Sequence, residues 1–185
     1  IDGDLPNVYL FHGDFMDEEI NELYNHPKVK AHISLTHGEG YGRPLLEASL
    51  SEKPVIAPDW SGHIDFLSKS NAILLGGVLE DVSKNSFPEN FYQEGMKWFT
   101  VNYQEASVKM KDVYKSYRKY TLNAKKLTMF NKSKFSLDSM TVEFGKILDK
   151  YVPEFPKEVK LELPKLNKVS EVEAPKIKLP KLKKV

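Results

Sequence analysis

Through the first half of the chain, short apolar runs alternate with stretches whose apolar residues return every three or four positions. Val8-Tyr9-Leu10-Phe11 predicts a short buried strand. A helix follows, with Asp17 as its cap, Glu18 and Glu19 in its first turn, and Ile20, Leu23 and Tyr24 on one face. Ala31 to Leu35 predicts a second strand, and a glycine-rich loop runs from Gly38 to Gly42. Pro44 stands where a first helical turn tolerates proline, and Leu45-Leu46-Glu47-Ala48 continues that helix. Pro54-Val55-Ile56-Ala57 and Ala72-Ile73-Leu74-Leu75 predict the third and fourth strands. Strands alternating with helices imply right-handed crossovers and a mainly parallel sheet flanked by helices, the α/β class. Such sheets bind ligands beyond the carboxyl ends of their strands, where the Gly38–Gly42 loop leaves its strand. A site is expected there.

The second half predicts helices. Val113, Tyr117, Tyr120, Ala124 and Leu127 keep one stripe along a single long helix from about Gln104 to Thr128. Leu137, Met140, Phe144, Ile147, Leu148 and Tyr151 mark a last helix capped by Ser136. These stripes are packing faces before they are cofactor contacts. Gly76 to Phe99 shows no clear period and reads as irregular, with a short element near Tyr92–Trp98.

From Val152 the pattern changes. Five of the eleven prolines fall in the last 34 residues, in loose echoes such as Leu163-Pro164-Lys165-Leu166 and Leu179-Pro180-Lys181-Leu182. Repeated Pro-Lys-apolar units bury little, so residues 152–185 read as a Pro/Lys-rich extended tail appended to a domain over 1–151. The alternation Val159, Leu161, Leu163 leaves open a strand that docks on this domain or on a protein partner. Nine lysines and five glutamates give the tail a net charge of +4 within a chain of net +1. A mildly acidic domain with a short basic stripe lacking interleaved aromatics is a poor nucleic-acid binder, so no nucleic-acid partner is expected.

Hydrophobic residues make up 41% of the 185, enough for a real core. No run of 18 apolar residues occurs, so no transmembrane segment is expected. The opening Ile1-Asp2-Gly3-Asp4 resembles neither a start nor a signal peptide, and a chain that begins inside a longer protein is the expectation. Zero cysteines exclude disulfides and thiolate metal sites and fit a cytoplasmic protein.

The densest chemistry lies in His37-Gly38-Glu39-Gly40-Tyr41-Gly42-Arg43-Pro44-Leu45-Leu46-Glu47-Ala48. Three glycines in five positions let the backbone turn tightly and let a bulky ligand approach its amides. Those amides lead into a helix N-terminus, whose unpaired N–H groups suit a diphosphate, and Arg43 adds a cationic fork if it faces the ligand. Glu47, one turn into the helix, can accept bonds from a diol, as acidic residues in dinucleotide-binding folds hold ribose hydroxyls. Glu39 lies in the loop itself, closer to whatever hangs off the phosphate. The bland alternative is a glycine-rich strand–helix turn with two solvated glutamates.

Glu39 to Ala48, followed by Lys53-Pro54-Val55-Ile56-Ala57, resembles the E-x7-E signature of the group 1 retaining glycosyltransferases of GT-B architecture. Ser61-Gly62-His63-Ile64-Asp65-Phe66 is similar to the Gly-Gly-x-x-Glu-Phe element of that family, and Val8 to Tyr24 to its strand–Gly–loop–helix at the nucleotide base. The resemblance covers roughly residues 5–151 and implies a single Rossmann-like domain, one half of a GT-B fold. It implies that Glu47 holds the donor ribose and that Gly40, Tyr41, Gly42 and Arg43 meet the diphosphate. Glu39 would be the catalytic candidate facing the donor sugar, with Phe15 and Met16 against the base and His37 and Gly38 adjoining the donor. The implied activity is metal-independent transfer of a sugar from a nucleoside-diphosphate donor, with retention and with no cofactor. The family also uses a cationic Arg…Lys pair and an N-terminal acceptor domain, in the same or another chain, upstream of the residues matched. Donor binding without transfer is therefore expected of these 185 residues by themselves.

Several other signals are weaker. Asp2-Gly3-Asp4 matches a D-x-D pattern but precedes a strand instead of ending one, and His12, His32 and His37 lack zinc spacing, so no metal site is expected. Trp60 and Asp59 follow the third strand on the ligand side, Asp65 reads as a cap for a short helix, and Tyr41 either packs over the donor or shields the strand end. A phosphorylase or sugar synthase of the same architecture is the enzyme rival, although no pyridoxal-phosphate lysine motif stands out. The rival from another class is a degenerate, non-catalytic sugar-nucleotide-binding or scaffold module docking through its basic tail.

Overall fold

In the computed structural model, which describes residues 6–153, the chain is a mixed α/β domain. Helix α1 (Asp17–Asn25), strand β1 (His32–Ile33), helix α2 (Arg43–Ser49), strand β2 (Val55–Pro58) and strand β3 (Ile73–Leu75) come first. The three strands form a parallel sheet in the order β1-β2-β3, with His32 opposite Val55 and Ile56 opposite Ile73. An antiparallel hairpin follows, β4 (Gly77–Asp81) paired with β5 (Lys97–Val101), then helices α3 (Tyr103–Lys115), α4 (Tyr117–Lys134) and α5 (Leu137–Tyr151).

Alternation along β2 explains the layers. Val55 and Ala57 point to one face and pack with Leu45 of α2, Phe66, Leu67 and Leu127 of α4. Ile56 points to the other, joining Ile73, Leu75, Phe99, Val101, Ala106 and Val113 under α3 and the hairpin. A strand covered on both faces must read as an unbroken apolar run. The α2 layer is also tied by polar contacts: Thr128 donates to the Ser49 carbonyl and Asn131 to the Ser49 hydroxyl, both at 2.7 Å.

Five expectations need correcting. Val8–Phe11 is not a strand; it lies extended and unpaired, with Val8 and Leu10 each 89% exposed. A strand exists only through its pairing, and no neighbour pairs with it among the described residues. Asp17 is the first residue of α1 and Met16 its cap, the Met16 amide donating to the Glu19 carboxylate at 2.9 Å. The long helix breaks at Ser116, whose backbone leaves helical values (φ −118°, ψ 32°) although its amide keeps the ordinary helical bond to the Asp112 carbonyl at 2.8 Å. That one non-helical residue ends α3 and starts α4, leaving the apolar stripe running across the break. Gly76–Phe99 holds the hairpin and two single 3-10 turns, so the sheet system is part parallel and part antiparallel. Asp65 closes the 3-10 turn Gly62–Asp65 and does not cap it.

Ser136 does cap α5, accepting from the Ser139 amide at 3.2 Å, but α5 buries no residue. The Asp2-Gly3-Asp4 pattern and the tail's possible docking strand both lie outside the described residues.

Candidate functional site

The loop between β1 and α2 owes its shape to two close approaches. Gly42 has φ +85° and ψ 45°, the left-handed conformation, and a side chain there would press within 2.9 Å of the His63 Cβ. A Cβ on Gly62 would fall 2.0 Å from the Gly40 carbonyl oxygen. The loop therefore lies flat on the Ser61–Gly62 backbone. Two hydrogen bonds fasten it, Glu39 N–H to the Ser61 hydroxyl at 2.8 Å and Gly62 N–H to the Glu39 carbonyl at 3.1 Å. His63 is buried below, donating from Nε2 to the Pro58 carbonyl at 2.7 Å.

The hairpin braces the loop from the other side. Phe99 N–H donates to the His37 carbonyl at 3.1 Å, and the His37 Nδ1–H donates to the Phe99 carbonyl at 2.8 Å. The imidazole thus supplies the second bond of a strand-like pair, which fixes its tautomer. Its ring stacks on Trp98 at 4.0 Å with planes 4° apart. Trp60 stacks on Phe99 at 5.8 Å and lies against Gly38.

Held this way, the loop leaves its outer amides open. Gly40, Tyr41 and Arg43 are exposed, and their backbone N–H groups have no acceptor among the described residues. Helix α2 is only seven residues long, so its dipole is small. Tyr41 packs its ring on Phe66 at 5.3 Å.

Glu47 sits one turn into α2 on a crevice of about 220 Å³ between α1 and α2, lined by Asp17, Asn21, Tyr24, Arg43 and Glu47 among others. Arg43 Nε lies 2.5 Å from a Glu47 carboxylate oxygen, and its Nη2 is 3.9 Å from Asp17. The hydrogen bond and charge of Glu47, then the charge of Asp17, push the Arg43 guanidinium up. Burial first and the Glu47 charge second raise the Tyr24 phenol. Lys53 holds α1 against this edge by donating to the carbonyls of Tyr24 and His26, in its last turn and cap; burial first, then Lys30, lower the lysine's affinity for its proton.

The sequence-predicted residues thus fall into one neighbourhood. Gly38 to Arg43 and Glu47 share the loop–helix turn, His37 stands behind it, and Phe15 and Met16 lead into α1 beside Asp17, both exposed. In the sequence Asp17 and Tyr24 signal only a helix; their place on the crevice depends on a helix pairing that spacing does not report. Ser61 and Gly62 brace the loop, a role that shows only once the two backbones meet. Among the described residues no group of three or more His, Asp and Glu gathers to hold a metal ion, and no helix is long and apolar enough to cross a membrane. No family model matches the chain, and no curated protein matches it.

Proposed function

We propose that this domain is the donor-binding, Rossmann-like half of a GT-B enzyme that moves a sugar from a nucleoside-diphosphate donor to an acceptor with retention. One observation carries the reading. The Glu47 carboxylate lines a crevice one turn away from the exposed residues Gly40, Tyr41 and Arg43, whose amides have no acceptor among the described residues. In this reading the amides and Arg43 hold the diphosphate, Glu47 accepts from the ribose hydroxyls, and Glu39 faces the sugar from the loop. Phe15 and Met16 flank the base at the mouth of α1. Catalysis then consists of stabilising the departing diphosphate with preorganised N–H groups and a cation, the kind of electrostatic work that costs no reorganisation during the reaction. The E-x7-E resemblance supports the same assignment. Acceptor binding belongs to a second domain, so the 185 residues bind donor and do not transfer.

Isothermal titration of the chain with UDP, GDP and ADP tests this. One of the three binds, and Glu47→Ala weakens it by about tenfold or more, as expected for a lost charge-assisted bond. No heat with any nucleotide would favour the scaffold module instead. Turnover of nucleotide sugar by the wild-type chain, absent in Glu47→Ala, would overturn the claim that transfer needs a second domain.

A further inference from the structure

The donor-site reading leaves one contact unexplained, because the cation meant for phosphate is already engaged with the carboxylate meant for ribose. Arg43 bonds Glu47 at 2.5 Å and leans towards Asp17 at 3.9 Å, so a carboxylate–guanidinium–carboxylate chain lines the crevice. We propose that Arg43 is the residue that makes this crevice selective for nucleoside diphosphates over nucleosides, by occupying Glu47 until a diphosphate draws the guanidinium away. The inference rests on the donor-site reading above.

Three features support the exchange. The Arg43 side chain is 72% exposed and Glu47 35%, so their pair is solvent-screened and cheap to break. A diphosphate offers more negative charge and a better-matched set of oxygens than one carboxylate, and arginine forks prefer it. Finally, Asp17 and Glu47 both line the crevice, and an anion entering beside two carboxylates is repelled unless the cation between them turns to meet it. A nucleoside lacks the group that moves Arg43, so its ribose must compete with the guanidinium for Glu47. A diphosphate moves Arg43 and frees Glu47 in one step. Specificity then comes from a competing contact within the protein that only the right ligand displaces.

Arg43→Met keeps the stem and removes the charge, and an exposed position tolerates it. The full chain and two variants are titrated with UDP, GDP, ADP and the matching nucleosides, with circular dichroism checking the fold. For the base that binds, Arg43→Met weakens the diphosphate by about tenfold or more. The same change tightens the nucleoside by about two- to fivefold, the worth of an exposed ion pair. Opposite signs in one variant are the signature. If Arg43→Met weakens both ligands or leaves the nucleoside unchanged, the exchange is refuted. Glu47→Gln separates this from the parent reading: it weakens both ligands if Glu47 holds ribose. A Glu47→Gln chain that binds both as the wild type does would remove the ribose assignment and, with it, the exchange.

Discussion

Gly62→Ala is the sharpest test of how the loop is held. An added methyl group falls 2.0 Å from the Gly40 oxygen, 2.8 Å from its carbon and 3.2 Å from the Glu39 oxygen. Relaxed carbon–oxygen contact is about 3.3–3.6 Å, so one backbone must retreat by roughly 1.3 Å or more. Neither neighbour is a flexible side-chain end; both are peptide groups fastened by the Gly62–Glu39 and Glu39–Ser61 hydrogen bonds. Overpacking costs about 1–3 kcal/mol and a strained or lost hydrogen bond about 0.5–1.5, for a total of about 2–4 kcal/mol. Gly40→Ala is the matched control, since a Cβ there meets nothing within 4 Å. Urea unfolding followed by tryptophan fluorescence reads both variants. Gly62→Ala lowers the midpoint at unchanged slope, and Gly40→Ala stays near wild type. A Gly62→Ala chain within about 0.5 kcal/mol of wild type would refute the close approach on which the loop geometry depends.

Two further outcomes follow from the core and its edge. Leu127 is fully buried against Leu45, Val55 and Phe66, so Leu127→Ala destabilises the domain by about 2.7–5 kcal/mol in the same urea assay; a loss below about 1 kcal/mol would mean α4 does not close that core. Burial lowers the His32 imidazole below its ordinary value, so the unfolded chain binds the extra proton; stability is full above about pH 6.5 and falls as pH drops below it. His32→Asn flattens that acid-side decline in a series of urea titrations from pH 8 to 5, and equal slopes in both proteins would contradict the burial argument.

How much of this was legible beforehand follows the range of the interactions. Strands β2 and β3 announced themselves because both faces are buried and the residues run apolar without alternation. The loop and α2 were legible from the glycines at 38, 40 and 42, from Pro44 and from the run Leu45-Leu46-Glu47-Ala48, all local features. The hairpin was not. Every residue of β4 is exposed, so it carries no burial pattern, and its fixing contacts are distant ones, Thr100 to Glu80 at 2.6 Å and Phe99 to His37. Ser116 was invisible for the opposite reason: Val113, Tyr117 and Tyr120 hold one stripe through the break, while the break itself is a backbone turn at a single residue. At the site, Asp17 stands 26 positions from Arg43, and no period connects them.

The unpaired Val8–Phe11 run carries a consequence for handling the chain. Four successive large apolar residues, paired with no strand among the described residues, match the pattern of an intermolecular cross-β template, and Pro6 and Gly13 flank them. Loss of monomer through that run is the expected outcome as protein concentration rises, and light scattering across a dilution series checks it. A charged residue in place of Leu10, pointing into water as Leu10 already does, relieves it at no cost to packing.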